Sequence, residues 1–253
     1  MLIANEFKRR LLAKEAMVGT WCMSGSANVV EAMGWTGFDF LTIDGEHGLY
    51  SHGEILNSLR ALASTPTMPI VRVPNREPSH AKHLLDIGVQ SFLVPMVETV
   101  EDAKAFVDAT RYPPQGHRGF ALMHRGSRYL TVDDYAQIAN DEICVVVQLE
   151  SRDAIDRLED IAAVPGIDAV FVGPGDLSAS MGFVGQPSHA DILNIVQQVA
   201  KRSAAIEVPC GILFNRPDLA QDALAAGYTM VAVGNDLGFL TSTARATAKG
   251  FKH

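Results

Sequence analysis

Two carboxylates one crossover apart carry the first chemical signal in this chain. The segment 144–177, CVVVQLESRDAIDRLEDIAAVPGIDAVFVGPGDL, reads as strand, helix, strand, with an acidic residue just past each strand, Glu150 and Asp176. The run 143–147 is apolar, β-branched and too short for a helix. The helix starting near Arg152 is amphipathic, with Ile155, Leu158, Ile161 and Ala162 on one face and Arg157 and Asp160 on the other, and Pro165-Gly166 stops it. The second run, 169–172, is apolar throughout, as expected of a parallel strand covered on both faces. A right-handed crossover lays such strands side by side and pointing the same way, so both carboxylates emerge at one end. An oxygen-only pair suits a hard divalent cation, Mg²⁺ or Mn²⁺, whose octahedron water or substrate oxygens complete. Either acid alone is better explained as the cap of the helix after it; the pair is what points to a metal.

The remaining candidates also stand at strand ends. His47 closes Asp44-Gly45-Glu46-His47, where a neutral imidazole serves as a general base near pH 7. Asp44 and Glu46 read as capping or supporting groups. Arg72, inside the apolar run IVRVP, needs a partner for its charge, either a substrate oxyanion or a structural salt bridge. Gln148 adds an amide beside Glu150. After the second strand, Pro174-Gly175-Asp176-Leu177 leads into a helical turn over 177–181, whose free N–H groups cradle anions. A glycine at 175 lets that backbone come close to a ligand. The other histidines read as solvated side chains. No lysine stands on a strand to form a Schiff base: Lys8 and Lys14 precede the barrel, Lys82, Lys104 and Lys201 fall on helices, and Lys249 and Lys252 lie in the tail. Carbon–carbon chemistry here therefore needs a metal rather than an imine.

These groups require a scaffold that gathers strand ends. After a short amphipathic helix carrying Phe7, Leu11 and Leu12, strands are expected at 18–23, 38–43, 69–73, 91–94, 143–148, 169–172, 210–214 and 229–233. Helices are expected at 27–35, 51–63, from Pro78 through Asp86 with Gly88 as cap, 100–110, 152–162, 189–206, 217–226 and 237–249. This alternation predicts a (β/α)₈ TIM barrel, one domain over 1–253 with an N-terminal and a C-terminal helix, and the site at the C-terminal ends of the strands. A doubly wound open sheet is disfavoured, because Ser24-Gly25-Ser26 is a poor match to a dinucleotide-binding turn. The one irregular segment, 111–135, holds Pro113-Pro114 and Arg111, Arg118, Arg125 and Arg128, and reads as a long loop on the functional rim.

Composition narrows the function classes. Of 253 residues, 47% are hydrophobic, enough for a large core, and the net charge of −8 argues against nucleic acid or an anionic membrane as partner. The three cysteines show no metal-type spacing and read as buried, reduced thiols. With no apolar signal core and no run of spanning length, a cytoplasmic protein is expected.

At these residues the chain resembles the metal-dependent class II pyruvate aldolases, the family of 4-hydroxy-2-oxoheptanedioate and 2-dehydro-3-deoxyglucarate aldolases. The matching stretches are GFDFLTIDGEH (37–47), PIVRVP (69–74), LLDIG (84–88), FLVPMVET (92–99), TRYPPQGHRG (110–119), VVVQLES (145–151), VFVGPGDLSASMG (170–182) and VAVGNDLG (231–238). TRYPPQGHRG and AVGNDLGFL are most similar to the aldaric-acid branch. The resemblance implies that Glu150 and Asp176 hold the divalent ion, Mg²⁺ foremost, with Mn²⁺ or Co²⁺ as alternatives. It implies that Gln148 and the backbone at Gly175 and Asp176 bind the 2-oxo acid, that His47 accepts a proton with Asp86 raising its basicity, and that Arg72 stabilises an enolate. Gly175 stands where such proteins carry Ala or Ser, which loosens the loop but keeps the backbone donor. The implied reaction is retro-aldol cleavage of 5-dehydro-4-deoxy- or 2-dehydro-3-deoxyglucarate to pyruvate and tartronate semialdehyde. 4-Hydroxy-2-oxoheptanedioate and 2-dehydro-3-deoxyrhamnonate are alternative substrates, and a non-catalytic 2-oxo-acid binder is the alternative from another class. A homo-oligomer, a hexamer with sites at subunit contacts, is implied by the resemblance alone.

Overall fold

A computed structural model describes residues 4–251. The first half runs α1 (Glu6–Leu12), β1 (Met17–Cys22), α2 (Ala27–Gly34), β2 (Phe40–Asp44), α3 (His52–Leu62), β3 (Met68–Arg72), α4 (Ser79–Asp86), β4 (Ser91–Val94) and α5 (Val100–Thr110). The second half runs α6 (Tyr135–Ile138), β5 (Cys144–Leu149), α7 (Arg152–Asp156), α8 (Leu158–Ala162), β6 (Ala169–Val172), α9 (Pro174–Ser180), α10 (Ala190–Ala205), β7 (Cys210–Phe214), α11 (Pro217–Ala226), β8 (Met230–Asn235) and α12 (Asp236–Gly250). Each strand pairs in parallel with the next, and β8 returns to β1 to close the barrel. No helix among the described residues is long and apolar enough to cross a membrane. Lys252 and His253, read as tail residues, lie outside the described residues.

Two apolar layers hold the barrel. Outward strand residues such as Val145, Val147 and Val170 pack under the helices, while Met17, Phe40, Ile70, Val146 and Phe171 fill the interior. Phe7 and Leu11 of α1 join that interior cluster and plug its N-terminal end, Phe7 meeting Phe40 edge-on at 5.8 Å. Rings of this size fit because glycine faces them. A Cβ at Gly19 would stand 2.5 Å from the Phe40 ring, and one at Gly211 would stand 2.5 Å from the Phe171 ring. Local signals start and stop the helices. Ser51 with Glu54 and Thr99 with Asp102 form capping boxes, and Gly227 ends α11 at φ 105°. All three cysteines are free and buried; burial raises their thiol pKa values, Cys210 to about 12, so they stay neutral.

Three expectations need correction. The helix expected from 152 to 162 is two short helices, broken at Arg157, whose N–H lies on the Asp153 and Ala154 carbonyls at 3.3 and 3.1 Å. The turn after β6 starts earlier than expected, at Pro174, which occupies the first helical position where its missing N–H costs nothing. The 111–135 segment lies on the opposite face from the strand C-termini. It joins the bottom of α5 to the start of β5, and Arg111 reaches the carbonyls of Ile143 and Gly166 there, both at 3.4 Å.

The packing of the interior generates a stability prediction. Gly19→Ala is expected to lower unfolding free energy by about 1–3 kcal/mol, the usual cost of overpacking. Urea denaturation checks it, and an unchanged midpoint contradicts the assigned contact with Phe40.

Candidate active site

Asp44 and Arg72 are register partners at the ends of β2 and β3. Arg72 donates from Nε and Nη2 to the two Asp44 oxygens, both at 2.8 Å, a bidentate pair with Asp44 wholly buried. The same Asp44 Oδ1 accepts the N–H groups of Glu46 and His47 at 3.1 and 3.2 Å, which folds the Asp44–His47 turn over the strand end. Glu46 takes Arg72 Nη1 at 2.7 Å, and the Arg72 guanidinium carbon lies 4.2 Å from the centre of the Trp21 ring. Of the two partners open to Arg72 in the sequence, the chain itself supplies a salt bridge. Burial raises the Glu46 pKa despite Arg72, because desolvation outweighs that attraction and Asp44 and Asp176 add like charge.

Glu150 leaves the end of β5, only 2% exposed. Its Oε2 accepts the Met96 N–H at 2.9 Å and its Oε1 accepts Gln148 Nε2 at 3.1 Å. Met96 holds a left-handed backbone, φ 53°, a cost that recurs where function over-determines geometry. On the neighbouring strand end, a Cβ at Gly173 would stand 2.3 Å from Glu150 Oε1, so only glycine leaves the carboxylate its place. Desolvation raises the Glu150 pKa to about 7, opposed by the Met96 N–H and reinforced by the charge of Asp176.

Asp44, His47, Arg72, Gln148, Glu150, Gly175 and Asp176 all line one cavity of about 420 Å³ at the C-terminal mouth. His47 is largely exposed, its Nε2 3.9 Å from Glu46, and Asp176 is exposed in the first turn of α9. No lysine lines this cavity among the described residues. Two buried polar atoms on its wall have no partner, the acceptor Gln148 Oε1 and the donor Trp21 Nε1. Asp86 is not there. Because α4 runs back from β3, its last residue stands at the N-terminal face, where Arg118 donates to Asp86 at 2.9 Å and His124 approaches to 3.6 Å. Within one chain Asp86 therefore cannot act on His47. Trp21 and Met96 have no role legible in the sequence, and Gly173 is read there only as part of the strand-end run 173–176. A glycine after an apolar strand was the one available signal, while the Met96 conformation left none.

Burial of Glu150 has a measurable consequence. A carboxyl whose pKa rises on folding binds a proton more tightly in the native state, so stability falls as pH climbs from about 4.5 to about 7. In chelator, Glu150→Gln is expected to be more stable than the parent at pH 8, on the order of 3 kcal/mol, with the gap closing at pH 5. Paired thermal melts check this, and a gap independent of pH contradicts the assigned burial.

The chain is 44% identical over 234 residues, 92% of each chain, to the 2-dehydro-3,6-dideoxy-6-sulfogluconate aldolase of Pseudomonas putida. It is 42% identical over 248 residues to the 5-keto-4-deoxy-D-glucarate aldolase of Shigella dysenteriae serotype 1 (strain Sd197), covering 98% of this chain and 97% of that one. A crystal structure of an HpcH/HpaI aldolase/citrate lyase family protein from Burkholderia cenocepacia J2315 superposes with a TM-score of 0.94 at 37% identity, over 98% of this chain and 99% of the other. The family described as HpcH/HpaI aldolase/citrate lyase matches residues 17–243, and the chain belongs to it.

Proposed function

We propose that this enzyme, a retro-aldol lyase, cleaves the C3–C4 bond of a 4-hydroxy-2-oxo acid of the aldaric type, 5-dehydro-4-deoxy- or 2-dehydro-3-deoxyglucarate, to pyruvate and tartronate semialdehyde. The names of the aldolase relatives support the reaction and set aside a non-catalytic binder. The observation that carries the site assignment is the pairing of Glu150 and Asp176 on one cavity wall, close enough that the charge of Asp176 raises the Glu150 pKa.

The donor set fits a divalent ion. No group of three or more His, Cys, Asp or Glu among the described residues is arranged to hold a metal, so Glu150 and Asp176 would hold it with non-protein oxygens. That is the habit of Mg²⁺, with Mn²⁺ and Co²⁺ as alternatives. Once bound, such an ion polarises the keto group of the 2-oxo acid as a Lewis acid. The protein residues supply the rest. The N–H groups at Gly175 and Asp176 hold the 2-oxo acid, and Gln148 Oε1, being an acceptor, takes a water or substrate hydroxyl while its amide N–H stays on Glu150. His47 accepts the 4-hydroxyl proton as the C3–C4 bond breaks, which releases the aldehyde and leaves an enolate whose C3 then takes a proton from water to give pyruvate. The bonds to Asp44 and Glu46 leave part of the Arg72 guanidinium fork unspent for the pyruvate enolate oxygen. Trp21 and Phe171 form the dry floor beneath them.

Asp86 serves this reaction only from a second copy, so the reading includes a homo-oligomer, a hexamer by family resemblance. Phe120 and Met123, on the loop that binds Asp86, are 66% and 70% exposed, and α12 buries only Asp236 while Leu237 and Leu240 stay exposed; these unpaid apolar surfaces support assembly.

A lactate-dehydrogenase-coupled assay tests the reaction. With Mg²⁺ or Mn²⁺ present, pyruvate is expected from 5-dehydro-4-deoxyglucarate, chelator stops it, and Glu150→Gln abolishes it with the fold intact by circular dichroism. No pyruvate from any of the candidate acids contradicts the reaction, and undiminished turnover in Glu150→Gln removes that residue from the metal site. Light scattering on the purified protein checks assembly, with a mass above that of one chain expected and a monomer contradicting the role of Asp86.

A further inference from the structure

The cavity carries polar groups that the reaction centre does not use. Beyond the carboxylates, its wall carries Ser188, Asn215, Arg216 and Asn235. We infer that Arg216 is the specificity-determining charge of this cavity for the aldehyde portion of the substrate, reading an anionic group at the end distal to the keto acid. The inference rests on the retro-aldol reading above.

The electrostatics of the mouth single out this residue. Arg72 is committed to Asp44, Glu46 and the enolate oxygen, and His47 is the proton acceptor, so Arg216 is the other guanidinium that this chain places on a wall also bearing Asp44, Glu150 and Asp176. A substrate with a second negative charge meets repulsion from that wall unless a cation faces its far end. Arg216 is positioned by the chain just past β7, one residue before α11, with Pro217 pinning the first turn. It makes no capping bond to the helix; its guanidinium is paired through Nε and Nη2 with Asp218 on the same turn.

That pair is exposed, 61% at Arg216 and 58% at Asp218, and an exposed ion pair contributes little stability. Arg216 can therefore exchange Asp218 for a substrate oxyanion at small cost, and its planar fork suits a carboxylate or sulfonate equally. Two relatives fit the same chemistry from different substrates, since a 6-sulfogluconate derivative carries a terminal sulfonate and a glucarate derivative a terminal carboxylate.

The test compares two aldehydes that differ in that terminal group alone. Addition of pyruvate to tartronate semialdehyde and to glyceraldehyde is measured for the parent, Arg216→Met and Arg216→Lys with Mg²⁺. Arg216→Met is expected to lower the kcat/KM preference for tartronate semialdehyde over glyceraldehyde on the order of 10- to 100-fold, the worth of a hydrogen bond to a charged group. The loss should lie in KM, and Arg216→Lys should recover part of it. An unchanged preference, or an equal loss with both aldehydes, overturns the assignment. A parent enzyme silent with both aldehydes overturns the retro-aldol reading instead, and so the two failures are told apart.

Discussion

A carboxylate removed from water at the end of β5 sets the terms for the rest of the mouth. Glu150 has two hydrogen-bond donors, the Met96 N–H and the Gln148 amide, and these do not offset the loss of solvent; the pKa of about 7 expresses the deficit. A second carboxylate, Asp176, adds repulsion from the first turn of α9. Such an arrangement is unfavourable in the isolated chain and becomes favourable when a positive charge lies between the two acids. The site is thus stored as electrostatic tension, and a stable scaffold is needed to hold it.

The barrel supplies that scaffold by filling space without slack. Phe7, Phe40 and Phe171 pack the interior because Gly19 and Gly211 leave room for two of the rings, and Trp21 and Phe171 carry that packing up to the cavity floor. Around the mouth, one buried aspartate does two jobs. Asp44 fixes the Arg72 fork from below and folds the turn that presents His47 from above. Positioning of the guanidinium and of the imidazole-bearing turn therefore depends on the same carboxylate, which ties the geometry of the two groups together.

Much of this was legible in residue order. Short apolar, often β-branched runs alternating with amphipathic stretches located all eight strands to within a few residues, and the polar residues at their ends brought Glu150, Asp176, Gln148, Arg72 and His47 to one end. Connectivity alone placed the C-terminus of α4 and the 111–135 connection at the other end, yet an arginine-rich loop resembled a ligand-binding rim and obscured that. Arginine there instead binds the carbonyls and Asp86 at the barrel base. The pairing of Asp44 with Arg72 depended on strand register, which a run of apolar residues does not specify. The left-handed Met96 had no sequence marker, since the partner of its N–H, Glu150, lies at the end of another strand, and the break at Arg157 had none either.

If Glu150 and Asp176 converge on one cation, that ion must be seen bonded to both. Crystals grown with Mn²⁺ and pyruvate, measured at the manganese absorption edge, test it most directly. A single anomalous peak is expected at the mouth, bonded to both carboxylates, with pyruvate oxygens in its coordination shell. A peak bonded to neither acid, or no peak at that end of the barrel, would contradict it.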